Sequence, residues 1–335
     1  MRLSELPTPA LIVEATDLHH NLATMAAALP GSRCRPHVKA HKCTSLAAEQ
    51  LAVGHRSFTC ATPLEVVGMA KAGLGEDLLL ANECVDSTRL SAMAALPDAR
   101  VTVAVDSEAT IDAAATAGIR EVLIDVNVGL PRCGCAPDDA GRLADHARAR
   151  GLGVRGVMGY EGHVMPVVDR ADRAAQVAEC MAKLAAAHDL VGGDVTSAGG
   201  TGTYDLHRWA NEIQAGSYAL MDTYYGRLDL PFHQALSVWT TVISVSPKWM
   251  VCDAGLKSLG MDHGDPTIEG AKVWFCSDEH VTFGPEASAL RSLRVGDHVK
   301  VLPAHVDPTM ALHERVHIVS GDDVIDTWAI DLRGW

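Results

Sequence analysis

The sequence predicts an α/β protein: a (β/α)8 TIM barrel up to about residue 230, followed by a mostly antiparallel β domain. Two observations predict it. Through the first two thirds of the chain, short β-type runs recur about every 20 to 35 residues, each followed by an Ala/Leu-rich stretch of helical spacing. Beyond Leu230 the β-type runs continue with no helical stretches between them.

The first set of runs is Cys34–Val38, Ser57–Cys60, Asp77–Leu80, Val101–Val105, Val122–Val126, Val154–Met158, Asp194–Ser197 and Ile213–Gly216. Eight runs in about 200 residues match a (β/α)8 barrel, whose chemistry lies at the carboxyl ends of its strands. A doubly wound open sheet is the alternative arrangement of the same rhythm. Helices are predicted over Ser45–Val53, Pro63–Ala72, Asp86–Ala95, Glu108–Ala117, Asp138–Ala149 and Arg170–His188, with Gly54, Gly73, Gly118 and Gly151 just past the ends of four of them. The later runs are Val238–Val245, Lys248–Cys252, Lys272–Cys276, His280–Phe283, His298–Leu302, Arg315–Val319 and Val324–Ile330, with turn signals at Val295-Gly296-Asp297 and Ser320-Gly321-Asp322.

With 28 Lys+Arg against 42 Asp+Glu among 335 residues, the formal charge is −14, so no basic surplus exists to neutralise nucleic acid or an anionic membrane. At 48% hydrophobic the chain is globular, yet its longest apolar stretches fall well short of the ~20 residues that span a bilayer. The segment Met1–Ile12 is too polar and proline-broken for a secretory signal, so a cytoplasmic protein is expected. Nine cysteines, an odd number, fit reduced thiols. Cys133-x-Cys135 could hold a metal, but with no second pair at zinc-ribbon spacing it reads as small buried or loop thiols.

Four segments carry chemistry. Arg35-Pro36-His37-Val38-Lys39-Ala40-His41-Lys42 crowds cationic side chains onto the end of the first run. Lysine at a barrel mouth can act as a Schiff-base nucleophile when burial and neighbouring cations lower its pKa, and a solvated basic turn is the structural alternative. In an extended strand Lys39 and His37 share a face. The seventh run leads into Ala198-Gly199-Gly200-Thr201-Gly202-Thr203, and the eighth ends in Gln214-Ala215-Gly216-Ser217-Tyr218. Two glycine-rich turns after runs seven and eight favour a phosphorylated cofactor. In His305-x-Asp307, on a strand, an imidazole and a carboxylate two residues apart point to the same side and can bind one ion, or else make ordinary hydrogen bonds.

With Thr8-Pro9-Ala10-Leu11, Gly129-Leu130-Pro131-Arg132-Cys133-Gly134, Gly159-Tyr160-Glu161-Gly162-His163, Asp253-Ala254-Gly255-Leu256-Lys257 and Pro303-Ala304-His305-Val306-Asp307 added in order, the chain resembles a known family over nearly its whole length. The family is the D-threonine aldolase and D-serine dehydratase group of the fold type III, alanine racemase-like, pyridoxal phosphate enzymes. The resemblance implies that Lys39 carries pyridoxal 5'-phosphate, that Arg132 and Tyr160 approach its ring, and that Gly200, Thr201, Gly216, Ser217 and Tyr218 hold its phosphate. It also implies that the first residues join the β domain, giving a barrel over 16–230 and a β domain of 1–15 plus 231–335, and that the protein is a homodimer. The dehydratases of the group carry Cys where this chain has Asp307. A carboxylate there suits Mn2+ or Mg2+ more than Zn2+ and points to the aldolases. His163, just beyond the sixth run and next to Tyr160, is the expected additional acid/base group.

The function expected is a pyridoxal phosphate- and divalent metal-dependent lyase. It would cleave a D-β-hydroxy-α-amino acid, of D-threonine or 3-hydroxy-D-aspartate type, to glycine and an aldehyde. A D-serine dehydratase type β-elimination is the alternative within the enzyme class, a racemase needs no metal pair, and a non-catalytic pyridoxal phosphate carrier is the alternative outside it. The β domain and His305-x-Asp307 argue against the carrier, which resembles the barrel alone.

Overall fold

The structure is a computed structural model describing residues 1–335. The chain divides into two compact units. The barrel unit holds Met25–Lys39, Leu46–Gly216 and Leu332–Trp335, and the β unit holds Met1–Thr24, Ala40–Ser45 and Ser217–Asp331. Strand β1 (Ala10–Glu14) opens the chain and runs into α1 (Ala15–Ala28), a helix that the strand-helix rhythm of the sequence did not reveal.

In the barrel unit, helices and strands alternate as α2 (Thr44–Ala52), β2 (Ser57–Cys60), α3 (Pro63–Lys71), β3 (Asp77–Leu80), α4 (Ser87–Ala94), β4 (Val101–Val105), α5 (Glu108–Ala117), β5 (Glu121–Asp125), α6 (Ala140–Ala149), β6 (Gly153–Gly159), α7 (Arg170–Val191), β7 (Val195–Ala198) and β8 (Glu212–Ile213). Strands β2 to β8 are parallel neighbours in chain order. Leu78, Leu79 and Leu80, like Val103, Ala104 and Val105, are buried throughout, as strands covered on both faces require. Helix starts are written in the sequence: Thr62 accepts from Glu65 N–H while Glu65 reaches back, with Pro63 at the first helical position. Helix α5 ends at Gly118 in the left-handed conformation, which carries no Cβ penalty there.

The predicted strand Cys34–Val38 is reduced to two parallel bridges, Cys34 to Ile213 and His37 to Thr59. These still close the sheet, because Arg35 N–H donates to Ile213 and Pro36 accepts from Thr59 N–H at 2.9 Å. Pro36 has no N–H to extend the ladder. The chain then turns, and Val38–Ala40 is a single 3-10 turn, so Lys39 and His37 do not share the face of an extended strand.

At the amino ends of the strands, Asp77 receives Arg155 through two nitrogens at 2.8 and 2.9 Å and Arg35 at 3.0 Å, while Arg35 Nε donates to Glu212 at 2.8 Å. Burial pulls Asp77 upward, but the two guanidinium groups outweigh it and hold the carboxyl well below the usual range. Hollows of about 510 and 650 Å³ open at this end, the first beside Arg35, Asp77 and Arg155, the second beside Arg100 and Glu121. Barrel chemistry belongs to the opposite end.

The β unit is built from β9 (Leu236–Val245), β10 (Met250–Cys252), β11 (Ala271–Cys276), β12 (Val281–Pro285), β13 (His298–Val301), α8 (Val306–Leu312), β14 (Arg315–Ser320) and β15 (Asp323–Ala329). The sheet order is β11-β12-β10-β9-β1-β14-β15, with β13 also paired to β9. Strand β1 sits inside this sheet, antiparallel to β9 and parallel to β14, burying Leu11, Ile12 and Val13. The sequence reading placed His305 and Asp307 on a strand. Instead His305 is the extended residue before α8 and Asp307 lies in its first turn. Pro308 explains the difference, since proline fits the first helical turn, where its missing N–H has no intrahelical partner, and interrupts a strand.

Candidate active site

At the carboxyl ends of the barrel strands, the Arg132 guanidinium lies 5.4 Å from the centroid of the Tyr160 ring. Asp125, Cys133 and both of these residues line one recess. Burial and the neighbouring Glu83 push the Asp125 carboxyl well above its usual range. A hydrogen bond to Glu83 pushes the Cys133 thiol up to about 11, and burial pushes Cys135 up to about 12. Lys39 is half-buried on its 3-10 turn.

His163 is exposed on the short turn Gly162–Val164, with Nε2 3.8 Å from Cys180 Sγ. A Cβ at Gly129, whose φ is +143°, would stand 2.9 Å from the His163 ring. The imidazole therefore packs against the loop after β5 and against α7, and the glycine is what admits it.

The sequence gives no role to Glu161, the residue that follows Tyr160. Glu161 is fully buried and accepts from Thr203 Oγ1 at 2.7 Å and Gly199 N–H at 3.2 Å, with His207 Nε2 at 2.7 Å. Burial would raise its pKa, yet the bond and charge of His207 and the Thr203 hydroxyl hold it below the usual carboxylate value. Glu161 thus ties the glycine-rich turn to the end of β6. A Cβ on Gly199 (φ +78°) would meet His207 Nε2 at 2.8 Å, and one on Gly200 would lie 3.5 Å from Tyr160 and Met165. The turn is a cradle floored by backbone, beside the Tyr160 ring, with the buried Thr201 in it. Gly216 ends the barrel unit, and Ser217 and Tyr218 begin a buried 3-10 turn of the β unit, where Tyr218 packs 5.6 Å from Phe232. A half-buried lysine just past the Cys34 and His37 bridges, an aromatic ring flanked by a guanidinium, and a glycine-rich turn beside that ring fit pyridoxal phosphate.

In the β unit, His305 Nε2 lies 3.6 Å from Asp307 Oδ2. Two donors about 2.1 Å from one ion stand roughly 3.4 Å apart when the angle at the ion is near-tetrahedral and roughly 3.0 Å apart when it is octahedral. The pair stands close to the first of these spacings, near enough for a small side-chain movement to let it share an ion. His305 Nδ1 instead meets Asp262 Oδ2 at 2.7 Å, a hydrogen-bond distance too short to admit an ion between them. Although Asp262, His263 and His305 cluster within 4.8 Å, that contact makes Asp262 a partner of the imidazole. Asp222 anchors the helix: its carboxylate accepts from Val306 N–H and Tyr225 N–H, each at 2.9 Å. Burial pushes Asp222 up to about 6 against those two bonds. Nothing in the sequence marked Asp222 or Asp262, because each reaches the site from a distant loop.

Residues 13–223 match the profile "Alanine racemase, N-terminal domain", and residues 235–319 match "Putative serine dehydratase domain". The chain belongs to this alanine racemase-like family, in its D-threonine aldolase and D-serine dehydratase group. Among relatives in the group, the chain is 33% identical to a D-threonine aldolase of Arthrobacter sp, over 99% of this chain and 94% of that protein. It is 31% identical to a 3-hydroxy-D-aspartate aldolase of Paracoccus denitrificans, over 99% and 93%. The crystal structure of D-threonine aldolase from Filomicrobium marinum superposes with a TM-score of 0.93 at 34% identity, covering 100% of this chain and 97% of that one. The family fold, a curled parallel sheet plus a mostly antiparallel sheet, is the one described above. No helix is long and apolar enough to cross a membrane.

Proposed function

We propose that the protein is a pyridoxal phosphate- and divalent metal-dependent lyase that cleaves D-β-hydroxy-α-amino acids, of D-threonine or 3-hydroxy-D-aspartate type, to glycine and an aldehyde. The observation that carries this reading is the 3.6 Å approach of His305 Nε2 to Asp307 Oδ2, an imidazole and a carboxylate set to share one ion. The aldolase relatives support it.

Pyridoxal phosphate, when bound, supplies the electron sink for the pair released as Cα–Cβ breaks. Lys39 would supply the amine that holds the cofactor. Gly200 and Thr201 of the glycine-rich turn, with Gly216, Ser217 and Tyr218, would hold the phosphate, and Glu161 keeps the turn in shape. Arg132 and Tyr160 would approach the cofactor ring. His305 and Asp307 would hold a hard divalent ion, Mn2+ or Mg2+ rather than Zn2+, which would supply Lewis acidity at the substrate β-hydroxyl. His163 accepts the hydroxyl proton. The protein acts on a small molecule, as a cytoplasmic homodimer.

The serine dehydratase profile over residues 235–319 favours a second reading, β-elimination of the same hydroxyl to keto acid and ammonia. One assay separates the two. Purified protein is incubated with pyridoxal phosphate, Mn2+ and a panel of D- and L-β-hydroxy amino acids, and glycine is resolved from keto acid. Glycine from D-substrates is expected. Keto acid alone would install the dehydratase reading, and turnover of L-substrates alone would overturn both.

A further inference from the structure

We propose that Asp262 and His263 are positioning residues that aim His305, so that Nε2 alone is presented toward Asp307. The inference rests on the reading that His305 and Asp307 hold an ion, and it concerns two side chains that do not touch that ion.

An imidazole has two nitrogens, and the hydrogen bond made by one decides which is left to ligate. Here Nδ1 is engaged by Asp262 Oδ2 at 2.7 Å, which makes Nδ1 the donor and leaves the lone pair on Nε2, the nitrogen 3.6 Å from Asp307. A carboxylate behind the ring also raises its basicity as a ligand. The ring plane is held separately. His263 stacks on His305 with centroids 3.7 Å apart and 12° between planes, Tyr224 covers His263 at 4.2 Å, and the Arg227 guanidinium lies 4.0 Å over Tyr224. This column of four planar groups opposes rotation of the His305 ring about its Cβ–Cγ bond.

Backbone stitching brings the loop to the helix. Gly260 N–H donates to Thr309 Oγ1 at 2.9 Å, Thr309 Oγ1 donates to the His305 carbonyl at 2.7 Å, and Gly260 forms an antiparallel bridge with His305. A Cβ on Gly260 would stand 2.3 Å from Pro308 Cγ, so glycine is what lets the two segments approach. Asp262 and His263, two and three residues on, are delivered to the Nδ1 edge and to one face of the imidazole.

The test is Mn2+ binding to the purified full-length protein, read by the free-ion electron paramagnetic resonance signal, with thermal melting measured in chelator. The unaltered protein is expected to bind and Asp307→Ala to lose binding. Asp262→Ala should weaken binding by about 10- to 100-fold with melting unchanged, and Asp262→Asn should recover most of that loss, because its Oδ1 still accepts from Nδ1–H. His263→Phe should keep the affinity that His263→Ala loses, since a flat ring restores the stack. Asp262→Ala binding as tightly as the unaltered protein would overturn the inference while leaving the ion reading intact. Loss in Asp262→Asn or His263→Phe as complete as in Asp307→Ala would make those residues ligands and also overturn it. Absence of binding to the unaltered protein would overturn the ion reading and this inference with it.

Discussion

Glu161 and His207 meet at 2.7 Å, and neither side chain reaches solvent. His207 Nδ1 is buried without a partner, so Nε2 carries the proton given to Glu161. Glu161→Ala strands that imidazole, the Thr203 hydroxyl and the Gly199 N–H, and should cost about 3–5 kcal/mol by urea unfolding. Pyridoxal phosphate affinity should fall with it. Glu161 has a folded pKa below its unfolded value, so its contribution is complete above the unfolded carboxylate value of about 4.3 and is lost as pH falls through the folded one. Glu161→Gln should flatten the acid limb of stability against pH. An unchanged acid limb would show that the pair is not the acid-sensitive element.

Asp77 makes a parallel case at the other end of the barrel, where it faces two guanidinium groups. Asp77→Ala should destabilise by about 3–5 kcal/mol, because Arg35, only 2% exposed, loses an anionic partner. The sign with pH is the same: the depressed carboxyl stabilises above pH ~4 and loses its effect as it protonates. Since the site residues lie at the opposite strand ends, cofactor loading of the folded fraction should be normal.

For Lys39, borohydride reduction of the loaded protein should fix the cofactor on the peptide containing it, and Lys39→Ala should lose multiple turnover. Label on Lys42 would redirect the assignment. Label on Lys257 would do the same, although that side chain is exposed and paired with Glu279 at 2.8 Å.

Chelation should abolish cleavage and leave the cofactor's absorption largely intact, since an ion held by His305 and Asp307 would act on the substrate hydroxyl and not on the cofactor ring. Asp307→Ala should match the chelated protein, and Asp307→Cys should shift metal preference toward zinc on ligand softness. Full activity in chelator would remove the ion from the mechanism.

His163→Ala distinguishes an acid/base role from packing. Loss of proton transfer should lower kcat about 10²- to 10⁴-fold. A fall of less than about tenfold would mean that the imidazole chiefly fills the space over Gly129.

The sequence by itself determined the order of barrel strands and helices, because apolar periodicity and capping residues are local properties that need no tertiary information. It also displayed the candidate site residues that are carried by compact motifs, such as Lys39, Tyr160 with His163, and His305 with Asp307. Helix α1 escaped because no β-type run precedes it in the barrel rhythm, and α8 escaped because seven residues are too few for a helical period to show. His305 and Asp307 converge, but for a reason other than strand alternation: an extended residue followed by a helical turn sets the 3.6 Å separation. Tertiary structure alone decided which carboxylates serve them. Asp222 and Asp262 lie 84 and 43 residues from the atoms they bond, and Glu161 lies 46 residues from His207. Those pairings follow from where the folded backbone brings distant loops, and one-dimensional spacing carries no trace of them.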